Sequence, residues 1–215
     1  MNSHRTDPHL DAAITRLGAP LDEARSAIIM LHGRGSSAGD ILSLASYFSG
    51  NGVVFLAPEA TGNSWYPHWF MSKLEDNQPN LDSAIMLIKR LLGDLTSVGI
   101  SSEHILLMGF SQGACLVSEF AIRNAQRFGG IAVLSGGLMG PEGTTWENPG
   151  SLEGTPIYIG CSDVDPFIPL QRVLETEEVM QQSGGQVTLE IFPGMGHLVS
   201  QEELEAVSRM IRWLD

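Results

Sequence analysis

A chain of 215 residues with 43% hydrophobic and 17% charged residues is long enough to bury a substantial core and too apolar to stay disordered. Twelve Lys and Arg against 25 Asp and Glu leave a net charge of −13, a field that argues against binding nucleic acid or anionic lipid surfaces. No apolar run approaches the ~20 residues of a membrane span, the first residues lack the apolar core of a secretory leader, and Cys115 and Cys161 show no metal-type spacing, so the expectation is a cytoplasmic protein without stable membrane insertion.

Residues 1–12 are expected to form a flexible lead-in, and a weak strand candidate at 13–17 precedes the first clear one at 27–31. Further apolar runs at 53–57, 105–108, 131–134, 157–160 and 187–192 are short and rich in Ile, Val and Leu. They are mostly unalternated, as strands buried on both faces should be. Longer stretches at 38–49, 81–97, 112–127, 169–183 and 201–214 read as helices. In the second, Leu81, Ile85, Ile88, Leu92 and Leu95 recur at helical spacing, and Gly50 and Gly99 stand where C-caps belong. This alternation predicts one domain over 1–215, with a mostly parallel, doubly wound sheet flanked by helices and functional groups at the strand C-termini. Two long, turn-rich connections, 58–80 and 135–156, are candidate substrate loops.

The stretch LHGRGSSAGD, residues 31–40, supports three readings. Gly33, Gly35 and Ala38 match a dinucleotide-binding turn, and Glu59 stands about 20 residues on, where a ribose acid belongs. Gly35, Ser37 and Gly39 match the G-x-S-x-G turn of a serine nucleophile. His32 to Gly35 match a loop that offers main-chain N–H groups to an oxyanion.

A second G-x-S-x-G, GFSQG at 109–113, directly follows the strand ILLM and directly precedes the helical run ACLVSEFAI. That context is what the chemistry requires, because a sharp strand-to-helix turn lifts a serine hydroxyl off the sheet at the positive end of a helix. Ser37 is separated from its strand by His32, Gly33 and Arg34, too loose a connection for such a turn. Ser111 is therefore the candidate nucleophile.

A serine hydroxyl needs a histidine to take its proton and an acid to orient that histidine. His197, in the glycine-rich turn PGMGHL, is the one histidine beyond the candidate acids. The acid belongs after the strand PIYIG, in CSDVDPFIP, where Asp163 and Asp165 both qualify. Asp165 is favoured because Pro166 and Pro169 fix its turn.

HGRG after an early strand, GFSQGA at the turn, DPFIP at the acid and GMGH near the end together resemble the small phospholipase/carboxylesterase branch of the α/β-hydrolases, which includes acyl-protein thioesterases. The resemblance runs from about residue 27 onward. It implies an α/β-hydrolase fold, a triad of Ser111, Asp165 and His197, and no cofactor. The implied activity is ester or thioester cleavage through an acyl-enzyme. Oxyanion donors are then expected from the N–H groups of Arg34 and Gln112, with His32 bracing the loop. Only about 20 residues separate the strands at 134 and 156, too few for a cap domain.

The Arg34 side chain either points to water or favours a substrate bearing a carboxylate. Trp65, Tyr66, His68, Trp69 and Phe70 crowd one segment and form either an acyl-binding wall or a small core that pins the loop. Cys115, one turn after Ser111, reads as core. The expected partner is a small-molecule ester or thioester with a short-to-medium acyl group, and a homodimer is compatible with the chain. Two other classes compete: a ligand receptor on the same fold with negligible turnover, and a nucleotide-binding oxidoreductase.

Overall fold

The computed structural model describes residues 7–48, 50–146 and 150–214. The strands among them are β1 (Ile14–Gly18), β2 (Ser26–Leu31), β3 (Val53–Pro58), β4 (Ile105–Phe110), β5 (Gly130–Leu134), β6 (Pro156–Ser162) and β7 (Gln186–Phe192). The helices are α1 (Ala38–Ser43), α2 (Asn80–Ser97), α3 (Gln112–Arg123), α4 (Leu170–Gln182) and α5 (Gln201–Ile211). The strands lie in one sheet in the order β1-β3-β2-β4-β5-β6-β7. All neighbours pair in parallel except β1, which runs antiparallel along β3.

β2, β3 and β5 are buried at every position, which is why their sequences do not alternate. Within β2, Ala27, Ile29 and Leu31 pack with α2, α3 and α4, while Ile28 and Met30 pack with α1 and α5. Each such buried Ile or Leu contributes roughly 1.5–3 kcal/mol. The edge strands β1 and β7 are largely accessible, and β1 carries the weakest strand signal.

The chain leaves β2 toward β3 on one side and returns through β4 on the other. Loops after β2 and β4 therefore emerge side by side, with Leu31 opposite Gly109. Such a reversal of strand order is where doubly wound sheets form sites.

Several expectations shift. Helix α1 ends at Ser43 and passes into a 3₁₀ turn at Leu44–Tyr47, so Gly50 caps no helix. The left-handed glycine of that connection is Gly52. Helix α3 stops at Arg123, short of 127, where the Asn124 amide donates to Phe120 O at 2.9 Å and competes with the next helical turn. Residues 1–6 lie outside the described residues; within residues 7–12, His9 anchors the lead-in while Asp7, Leu10 and Asp11 stay exposed. His9 is fully buried, its N–H donates to Ser83 Oγ at 2.8 Å, and its Nε2 donates to Trp65 O at 3.1 Å.

The connection after β5 is pinned as well. Arg172, 1% exposed, donates to the carbonyls of Leu138, Gly140 and Pro141, and Glu119 accepts from Met139 N–H. Among the described residues no helix is long and apolar enough to cross a membrane.

Candidate active site

Ser111 occupies the turn between β4 and α3 at φ 54° and ψ −118°, a conformation that costs a non-glycine residue about 1–3 kcal/mol. The neighbouring glycines make the turn possible. A Cβ at Gly109 would collide with Gly113 O, and one at Gly113 would collide with Leu31 O. The strained serine is held by its N–H, which donates to Leu134 O at 3.0 Å, and its carbonyl, which accepts from Cys115 N–H at 3.0 Å.

The structure brings the three separated residues together. His197 Nε2 lies 2.8 Å from Ser111 Oγ, and Nδ1 lies 2.6 Å from Asp165 Oδ2. The Asp165 side chain is fully buried, and its Oδ1 accepts from the N–H groups of Phe167 and Ile168 at 2.9 and 3.0 Å. A carboxylate placed there orients the imidazole and favours the tautomer with the proton on Nδ1. Nε2 is then free to accept from the serine. Phe110 and Phe167 flank the ring, each with its centroid 5.0 Å away.

Asp163 has a different task. Its Oδ1 accepts from Gly194 N–H at 2.8 Å, while Ser162 Oγ accepts from Gly196 N–H at 3.0 Å. Both bonds fix the turn that carries His197. Gly194 and Gly196 supply the positive φ angles that turn requires.

The HGRG loop lies directly against the serine, since a Cβ at Gly33 would stand 3.4 Å from Ser111 Cβ. His32 is fully buried; its Nε2 accepts from Ala60 N–H at 3.1 Å and its Nδ1 donates to Gly33 O at 2.8 Å, which is the bracing expected of it. Among the described residues, the main-chain N–H groups of Arg34 and Gln112 meet no acceptor.

The Arg34 side chain is exposed and lines the same cavity as Ser111, yet it is also tied to the protein. Its guanidinium donates to the carbonyls of Tyr66, Pro67 and His68 at 2.9, 2.9 and 2.7 Å. The carbonyls of an irregular segment need donors, and a planar guanidinium supplies several at once.

The aromatic segment divides between its two readings. Trp65 is fully buried between His9 and His32 and donates from Nε1 to His32 O at 2.8 Å, so it belongs to a small core and not to the pocket. Tyr66, His68, Trp69 and Phe70 line a cavity of about 400 Å³ that opens on Ser111 and His197. Phe167 and Ile168 also line it. These two belong to the DPFIP stretch, but its proline spacing showed only where the acid points. Cys115 also lines the cavity, and burial pushes its thiol up to about 12, which leaves it protonated and apolar.

The remaining readings of residues 31–40 are resolved by their partners. Ser37 is the N-cap of α1, accepting from Asp40 N–H at 3.1 Å. Glu59 accepts from Ala38 N–H at 2.8 Å and from the Asn63 amide at 3.0 Å. Its carboxylate covers the helix start where a pyrophosphate would sit in the dinucleotide reading. Among the described residues no group of three or more His, Cys, Asp or Glu is placed to hold a metal ion.

Residues 12–214 match the family model for phospholipase/carboxylesterase. Acyl-protein thioesterase 1 of Saccharomyces cerevisiae is 29% identical over 218 residues, covering 92% of this chain and 96% of that protein. A probable carboxylesterase of Oryza sativa subsp. japonica is 25% identical, covering 87% and 77% respectively. A crystal structure of a phospholipase/carboxylesterase from Dyadobacter fermentans superimposes with a TM-score of 0.90 at 38% identity, covering 94% of this chain and 97% of that one. With seven strands, a serine at the turn after β4 and a family match over nearly its whole length, the chain belongs to the phospholipase/carboxylesterase family of α/β-hydrolases.

Proposed function

We propose that the protein cleaves carboxylic esters or thioesters through an acyl-enzyme on Ser111 and prefers short-to-medium acyl groups on small alcohols or thiols. The observation that carries this reading is the hydrogen-bonded series from Ser111 Oγ through His197 to Asp165 at the mouth of the 400 Å³ cavity. The relatives named acyl-protein thioesterase and carboxylesterase support the reaction class.

In the first half-reaction Ser111 Oγ attacks the acyl carbonyl as His197 Nε2 takes its proton. The N–H groups of Arg34 and Gln112 receive the developing oxyanion, each worth about 3–4 kcal/mol. Asp165 stabilises the imidazolium, which returns the proton to the leaving alcohol or thiol. Water then repeats the sequence on the acyl-enzyme and frees the acid.

Acyl selectivity follows from the walls of the cavity. Each methylene buried against Tyr66, Trp69, Phe70 and Ile168 contributes up to ~0.8 kcal/mol, a few-fold in kcat/KM per carbon until the cavity is full. Two free, buried cysteines support a cytoplasmic setting.

Turnover of p-nitrophenyl esters from acetate to dodecanoate, together with fluorophosphonate labelling, tests the reading. Labelling and turnover that vanish in Ser111→Ala are expected, with a maximum at intermediate length. Unlabelled protein, or label without turnover, would favour a ligand receptor on this fold.

A further inference from the structure

The geometry points to a second role for Arg34 and Gln112: their side chains fasten the aromatic segment to the oxyanion hole, and so determine acyl specificity. This rests on the hydrolase reading above, in which their main-chain N–H groups receive the oxyanion and the segment forms the acyl wall.

Residues 64–70 contain no helix or strand that would satisfy their main chain. Instead, the carbonyls of Tyr66, Pro67 and His68 converge on the Arg34 guanidinium at 2.9, 2.9 and 2.7 Å. The Gln112 amide completes the attachment. Its Oε1 accepts from Trp65 N–H at 2.9 Å, and its Nε2 donates to Tyr66 O at 2.8 Å. Tyr66 O thus receives donors from both residues. The far end of the segment is tied separately, by Asn77 to His68 N–H and Trp69 O.

Charge-assisted bonds of this kind are about twice as strong as neutral ones, and the guanidinium offers its donors in a fixed plane that a lysine ammonium lacks. The two residues whose N–H groups face the reacting carbonyl therefore also hold the wall against which the acyl chain packs. Wall and oxyanion hole keep a fixed separation. Under that constraint, contacts made by distant methylenes hold the carbonyl in line, so their binding energy is expressed in kcat and not only in KM. With the attachment cut, methylenes still bind, but the wall yields and alignment is lost.

Two measurements on Arg34→Ala, Arg34→Lys and Gln112→Glu test this. Gln112→Glu keeps the acceptor for Trp65 N–H and removes the donor to Tyr66 O. Hydrogen exchange of amides in 64–70 is expected to rise by about ten-fold in each variant as the segment opens more often. On the ester series, the few-fold gain per carbon in kcat should fall to roughly one, with losses that grow with acyl length. Arg34→Lys should behave as Arg34→Ala does. A loss equal at every acyl length, unchanged exchange, or full rescue by Arg34→Lys would overturn the assignment. Exchange needs no turnover, so it remains decisive even if Ser111→Ala were to show that the hydrolase reading itself is wrong.

Discussion

Asp163 and Asp165, two residues apart on one loop, hold His197 at different points: Asp165 bonds the ring at 2.6 Å, and Asp163 bonds Gly194 N–H in the turn beneath it at 2.8 Å. One carboxylate sets the tautomer and the other sets the position of the backbone.

The two are separable by substitution. Asp165→Asn should lower kcat by about 10⁴-fold, because an amide can present an N–H to Nδ1 and stabilise the wrong tautomer. Asp163→Asn still offers an acceptor to Gly194, so its loss should stay near three-fold. Steady-state turnover of a butyrate ester measures both. Comparable losses would mean that Asp165 acts through the fold and not through the ring.

At the turn itself, Ser111→Ala and Ser111→Gly should both abolish turnover, but they should differ in stability. Relief of about 1–3 kcal/mol of backbone strain in the glycine variant outweighs the ~0.5–1 kcal/mol of added unfolded-state freedom. Ser111→Gly should therefore unfold at higher denaturant than Ser111→Ala. Ser37→Ala should keep full labelling and lose about 1 kcal/mol with its helix cap.

Trp65 and Trp69 provide a third contrast. Trp65→Ala empties a site that is fully enclosed and should cost about 3–5 kcal/mol in stability. Trp69 is 52% exposed and lines the cavity, so Trp69→Ala should leave stability nearly unchanged and flatten the dependence on acyl length. Chemical denaturation and the ester series measure the two effects. An unaltered length profile in Trp69→Ala would remove that ring from the acyl wall.

A pH effect is expected from Glu203, which is fully buried at the start of α5. Its Oε2 accepts from Ser200 N–H at 2.7 Å, and among the described residues its Oε1 has no partner. The carboxyl is raised from 4.5 to about 7, chiefly by burial and also by Glu190 and Glu202, against the bonds from Ser200, which lower it. The folded state thus holds this proton more tightly than the unfolded chain does. Its contribution is fully present below about pH 4.5 and is lost as pH rises through about 7. Glu203→Gln keeps an acceptor for Ser200 N–H and cannot ionise. It should be more stable than the parent at pH 8, with the gap closing toward pH 4.5 in thermal unfolding. A variant less stable at pH 8 would show that the ionised form is stabilised instead.

Features set by contiguous residues are legible in the sequence alone. The turn at Ser111 is a strand, a single residue and a helix in succession, and the buried strands are plain apolar runs. What escaped notice joins distant parts of the chain. Arg34 meets carbonyls 32 to 34 residues away, Asp163 meets an N–H 31 residues away, and His9 meets Trp65 and Ser83 across the N-terminal half. Trp65 and Trp69 have the same local chemistry in sequence; only the neighbours supplied by folding separate core from wall. Helix ends shifted where a single side chain, such as Asn124, competed with the next turn.

The closeness of Gly113 to Leu31 O has a wider consequence. Ser111 and the HGRG loop are spaced by main chain resting on main chain, a separation that side-chain replacement elsewhere cannot reset. The aromatic segment is anchored largely through its carbonyls and amides, while Tyr66, His68, Trp69 and Phe70 line the cavity. In the proposed acyl-wall role, substitutions at those four positions should change which acyl groups fit while this main-chain spacing stays in place.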